Sequence, residues 1–231
     1  MENSEIREKE HEKLQAIRKQ LRLCMNGVIA TSLREKGMNY KLIFGVPLPE
    51  IRQIARMYQP DVDLAEALWH KNVREMKILA TMLYPSDVFL KETALRWIDE
   101  VPYQEIAEQL SAHLLSASPD REAIVSICLG DGGGGAYRRS CGFLCVANLC
   151  IREEKLSPET ETLFLSEAKK ELAAGVSLTQ QAASLALKRF GRLSAGQAAE
   201  VLQLIGEFQH CGKPEQEEFY KDIRFEFEYY T

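Results

Sequence analysis

Apolar residues recur at spacings of three and four along almost the whole chain, and prolines fall between the periodic stretches rather than inside them. Pro47, Pro49, Pro60, Pro85, Pro102, Pro119, Pro158 and Pro214 all sit where helices should begin or end. The pattern predicts an amphipathic helical segment over about 4–36, with Leu14, Ile17, Leu21 and Val28 on one stripe. It predicts a helix at 49–58, with Pro49 near its first position, then one through Trp69 capped by Asp61 or Asp63. Further helices are predicted at 73–84, 87–100, 103–116, 119–129, 136–151, 158–174, 178–190, 195–210 and 214–228. No segment shows the alternation of a half-buried strand.

Several helix pairs look alike. The second members begin near Val73, Tyr103, Ala136 and Leu178, which gives a loose repeat of helix pairs. One pair cannot bury its own apolar face, whereas stacked pairs can, so the expected fold is an all-α, HEAT-like solenoid of helical repeats. An irregular helical bundle is the alternative. The expectation is a single domain over 1–231, with 1–40 as a helical cap and 214–231 as an acidic terminal helix.

Composition agrees: 28 Leu, 27 Glu and 22 Ala far outnumber the β-branched residues. No apolar run approaches the roughly 20 residues of a membrane helix, and the charged N-terminus has no signal-like core. A cytoplasmic protein is expected, its six cysteines reduced. No CxxC pair occurs. Cys141 and Cys145 share a helix face, which fits buried small thiols better than a metal site, and no metal is expected. The histidines His11, His70, His113 and His210 are scattered without metal-type spacing or a nucleophile beside them.

The net charge of −5 excludes a uniformly basic surface, but the charge is segregated. Segment 136–152 carries Arg138, Arg139 and Arg152 with no acid. Segment 178–192 carries Lys188, Arg189 and Arg192 with no acid. Both are second helices, so in a solenoid they would face one concave groove able to neutralise phosphates. Against this, 103–116 carries Glu105 and Glu108 without a cation, and 214–231 is acidic. The glycine run Gly130–Gly135 precedes Arg138; it reads as a connector, with backbone contact to a phosphate as the alternative. Trp69 and Trp97 read as core residues, while Tyr103, at a helix start, can project into a groove.

Two stretches carry a resemblance. Gly45, Val46, Pro49 and Arg52 in FGVPLPEIRQIAR, and Leu68, Trp69, Arg74 and Glu75 in ALWHKNVREMK, resemble the bacterial DNA alkylation repair family, the HEAT-like alkylpurine DNA glycosylases. The resemblance spans about 40–195. It implies a helical solenoid that clasps double-stranded DNA, alkylated or not, and needs no cofactor. Active members excise N3- and N7-alkylated purines with two tryptophans, an aspartate that stabilises the developing positive sugar, and an arginine on the backbone. The arginine falls at Arg139 and the first aromatic at Tyr103. The aspartate position holds Ala107 and the second tryptophan position Leu185, so no catalytic residue is assigned; Glu105 and Asp99 are the nearest substitute carboxylates. The resemblance and the segregated basic helices together imply a DNA-binding protein, with Arg138, Arg139, Lys188, Arg189, Arg192 and Tyr103 on DNA and with base excision weak, altered or lost. A non-enzymatic scaffold that binds a protein partner is the second expectation.

Overall fold

A computed structural model of the chain describes residues 2–130 and 135–230. Thirteen α-helices lie among them: α1 Glu2–Leu23, α2 Gly27–Glu35, α3 Leu48–Ala55, α4 Val62–Trp69, α5 Arg74–Leu83, α6 Lys91–Asp99, α7 Gln104–His113, α8 Arg121–Leu129, α9 Ala136–Ile151, α10 Pro158–Ala174, α11 Ser177–Gly191, α12 Ala195–Leu204 and α13 Pro214–Tyr230. Helix accounts for 74% of the chain, and the only β pairing among the described residues is an isolated bridge between Leu42 and Val73. None of the described helices is long and apolar enough to cross a membrane. Asp131 and the glycines at 132–134, the middle of the Gly130–Gly135 run, lie outside the described residues.

The first periodic segment, expected over about 4–36, is two helices. The break has a local cause. Asn26 adopts an extended backbone and its Oδ1 accepts from the amides of Val28 and Ile29, which caps α2. Asp61 caps α4 in the same way through the Leu64 amide, and Ser157 and Ser194 cap α10 and α12.

Contacts group the chain into two compact units, 1–89 and 90–231. In the first unit α1 packs on α3 and α4, and α5 packs on both α3 and α4. Its core holds Ile17, Leu21, Phe44, Ile51, Leu68 and Trp69. Trp69 is fully buried, and Lys77 sits over its ring at 4.3 Å while donating to its carbonyl.

The two sequence stretches that carry the family resemblance meet here. The Glu75 carboxylate is fully buried and accepts from three consecutive amides, Phe44 at 3.1 Å, Gly45 at 2.9 Å and Val46 at 3.3 Å. Arg74 closes the clamp, donating to the Val46 carbonyl at 3.0 Å and to Glu75 at 3.1 Å. Gly45 has φ of +73°, and a Cβ there would run into the Asn26 carbonyl oxygen and sit 2.7 Å from the Ala30 amide nitrogen. Only glycine combines that backbone with that approach. These motif residues are thus a backbone clamp and not a reactive site.

In the second unit α9 is the central helix. It packs on α7, α8 and most extensively on α11, and positions 140–147 are buried throughout. A Cβ on Gly142 would lie 2.7–2.9 Å from Leu129 and Cys128, so the α8–α9 crossing depends on its missing side chain. Phe143, Phe164 and Phe190 stack edge to face from α9 through α10 to α11.

Cys128, Cys141, Cys145 and Cys150 are buried in this core, whereas Cys24 and Cys211 are exposed. Burial raises all four core thiols, Cys128 and Cys150 to about 12. A thiol reagent should therefore modify Cys24 and Cys211 quickly and the other four only after unfolding; fast modification of more than two would contradict this core. The sign of the pH effect follows. Unfolded thiols ionise near 9, so the stability from keeping Cys128 and Cys150 protonated is present below that pH and declines as pH rises toward about 12.

Candidate nucleic-acid interface

The second unit holds all the residues expected to touch DNA, and it arranges them as two separate groups. α9 and α11 run in the same direction. At their starts, Arg139 of α9 donates to Glu171, which also accepts from the Thr179 hydroxyl of α11. At their ends, Cys150 of α9 lies in the electrostatic reach of Arg189 of α11. The helical rise of about 1.5 Å per residue puts roughly 15 Å between the two ends.

The first group is Asp99, Tyr103, Arg138 and Arg139. Tyr103 is the half-buried N-cap of α7, and its neighbour Gln104 accepts from Ser140 of α9 at 3.0 Å, which joins the two helix starts. Arg138 forks onto Asp99, its Nη2 at 2.6 and 2.7 Å from the two carboxylate oxygens and its Nε at 3.0 Å. That pair raises the Arg138 guanidinium above its usual range. Arg139 is held more tightly still: Nε to Glu171 at 2.7 Å, Nη2 to Glu167 at 3.1 Å and Nη1 to the Leu129 carbonyl at 3.2 Å. Burial works against the Glu167 charge, but hydrogen bonds from Lys170 and Arg139 bring its carboxyl below the usual range.

The second group is Lys188, Arg189 and Arg192 near the end of α11. Lys188 pairs with Asp222 at 2.6 Å and Arg192 with Glu226 at 3.0 Å, so the acids of α13 meet the cations of α11 one turn apart. Arg189 differs. It is half-buried and makes no hydrogen bond or ion pair among the described residues. Burial, followed by the charge of Arg192, pushes its guanidinium below its usual range. Leu185, one turn earlier, is half-buried on the same side of α11.

Ala107 is fully buried against the core of the second unit. The position where the resemblance places a catalytic carboxylate is therefore closed to solvent as well as uncharged. Asp99 is engaged by Arg138, and Glu105 lies half-buried in the first turn of α7. No group of three or more metal-type ligands converges among the described residues.

Formal charge divides with the units. Residues 1–89 carry a net +2 and residues 90–231 a net −7. The first unit also contains a cavity that spacing along the chain does not reveal, since its cations come from α1, from Lys41 and from the turn at His70 and Lys71. Those residues are some thirty positions apart in sequence and form no short motif.

Helix pairs packed in this way define an all-α protein of the HEAT-like repeat class. The described chain superposes on a solved structure from a family of proteins related to the HEAT-like repeat DNA glycosylases with affinity for branched DNA structures. The TM-score is 0.75 at 16% identity, over 90% of this chain and 93% of that one. The sequence pattern of the DNA alkylation repair enzyme family matches residues 17–203, and the chain belongs to that family. No curated protein matches it.

Proposed function

We propose that this protein is a DNA-binding member of the DNA alkylation repair family that holds the phosphate backbone and excises alkylated purines weakly or not at all. The observation that carries the reading is Arg189. Its guanidinium is half-buried beside Arg192, and it feels the Glu226 charge without any hydrogen bond or ion pair among the described residues, so its donors remain open to an incoming anion. A backbone phosphate supplies that anion with forked geometry. The ion-paired cations around it, Arg192 and Lys188, can exchange Glu226 and Asp222 for phosphates, since each pair has one solvent-exposed member and such pairs contribute only modestly, about 0–1 kcal/mol. The affinity of the solved relative's family for branched DNA supports DNA as the ligand, and branched duplexes are the form we assign here. Arg138, Arg139 and Tyr103 would form a second contact about 15 Å along the same helices.

Arg189→Ala should weaken binding to a four-way junction and lower the slope of log K against log salt by about 1, with the unfolding midpoint unchanged. Unchanged affinity and slope would remove the α11 end from the interface. The net charge of −7 on residues 90–231, and the acids already bound to Arg138, Arg139, Lys188 and Arg192, favour the second reading, a scaffold for a basic protein partner. That reading expects no binding of DNA to the whole chain at any salt concentration.

A further inference from the structure

The cavity in the first unit holds about 630 Å³, within the range of small-molecule sites. Its floor is rigid. The Leu42–Val73 bridge is fixed by the Leu42 amide donating to the Asn72 carbonyl at 3.3 Å and the Arg74 amide to the Leu42 carbonyl at 3.4 Å. Three cations, Arg18, Lys41 and Lys71, line it, and none of them makes an ion pair among the described residues. Among the described residues no carboxylate lines it. This contrasts with the second unit, where Arg138, Arg139, Lys188 and Arg192 are each matched by an acid. His11 and His70 add two imidazoles to the rim, the latter 3.7 Å from Glu66.

The other lining residues have a different character. Leu14, Leu42, Val73 and Met76 provide an apolar face, and Gln15 and Asn72 provide amides that both donate and accept. Val73 is the N-cap of α5 and gives that helix no side-chain acceptor, so the positive end of the helix begins at the cavity wall. Three cations, four apolar side chains and two amides around one cavity together match an anion carried on a flat, hydrogen-bonding body.

We propose that this cavity binds a nucleoside monophosphate, with the phosphate between Arg18, Lys41 and Lys71 and the base against Leu14, Leu42 and Met76. Two sources share that chemistry, a free nucleotide and the 5′-phosphorylated end of a DNA strand. The site lies wholly in residues 1–89 and does not depend on the Arg189 interface.

Isothermal titration of the full chain with dGMP, deoxyguanosine and inorganic phosphate tests it. The expected result is one site for dGMP, with deoxyguanosine and phosphate each at least tenfold weaker. Lys41→Ala/Lys71→Ala should weaken dGMP at least tenfold while leaving the circular dichroism and unfolding midpoint unchanged, since both side chains are exposed. Arg189→Ala should leave dGMP binding unchanged. Short single strands with a 5′-phosphate or a 5′-hydroxyl separate the sources: preference for the phosphorylated strand over dGMP assigns the site to strand ends, and the reverse assigns it to the free nucleotide. Absence of dGMP binding, binding of phosphate as tight as that of dGMP, or a double variant that binds like the parent would each overturn the proposal.

Discussion

Glu75→Ala should destabilise the first unit by about 3–5 kcal/mol, the range for breaking one member of a buried ion pair. Three effects add in the same direction. The amides of Phe44, Gly45 and Val46 lose their acceptor inside a closed core. Arg74, itself buried, keeps the Val46 carbonyl but loses its counter-ion. The loop that Gly45 allows to press on Asn26 and Ala30 keeps only the Arg74 and Leu42 contacts to hold it against α5. Urea unfolding followed by far-UV circular dichroism checks this. Because the chain has two compact units, an early transition of one part is the expected shape, with the remainder unfolding at the parent's midpoint. Glu75→Gln should cost less, since an amide oxygen still accepts while the charge opposite Arg74 is gone. A Glu75→Ala protein that unfolds like the parent would show that the clamp contributes nothing.

The second large effect is on catalysis. Loss of a cationic N7- or N3-alkylpurine leaves positive charge developing on the sugar, and a carboxylate near that charge is the strongest stabilising contact available. Here the corresponding position is Ala107, fully buried, and Asp99 is forked by Arg138. Removing one such contact costs about 10²–10³ in rate. Release of 7-methylguanine from methylated DNA should therefore fall at or below detection in an assay where an active family member is plainly measurable. Robust release would point to Glu105, and Glu105→Gln would then abolish it.

Much of the fold is legible in the sequence because proline positions and apolar spacing are local signals. Helices α9 and α10 fall where the periodicity places them, and the ends of α5, α11 and α13 shift by a residue or two. The break between α1 and α2 is missed because it rests on one side chain, Asn26, folding back onto two amides. The candidate interface is less legible, for a physical reason. Counting charges on 136–152 and 178–192 finds two acid-free basic helices, but their counter-ions arrive from elsewhere: Asp99 from α6, Glu167 and Glu171 from α10, Asp222 and Glu226 from α13. The predicted spans put Arg138 and Arg139 at the start of one helix and Lys188 and Arg189 at the end of another, but they do not show that α9 and α11 run in the same direction, which is what separates the two groups. The resemblance points to Gly45, Val46, Arg74 and Glu75 as its firmest marks. Their contacts explain why that pattern identifies a fold more surely than a reaction.

The most direct test of the central claim is a salt titration of the whole chain on DNA, by fluorescence anisotropy with a labelled four-way junction and a linear duplex of the same length. The account predicts binding at low salt, tighter for the junction, with log K falling linearly in log salt at a slope that reports several displaced counter-ions. Binding that is absent at low salt, or that does not change with salt, would contradict it.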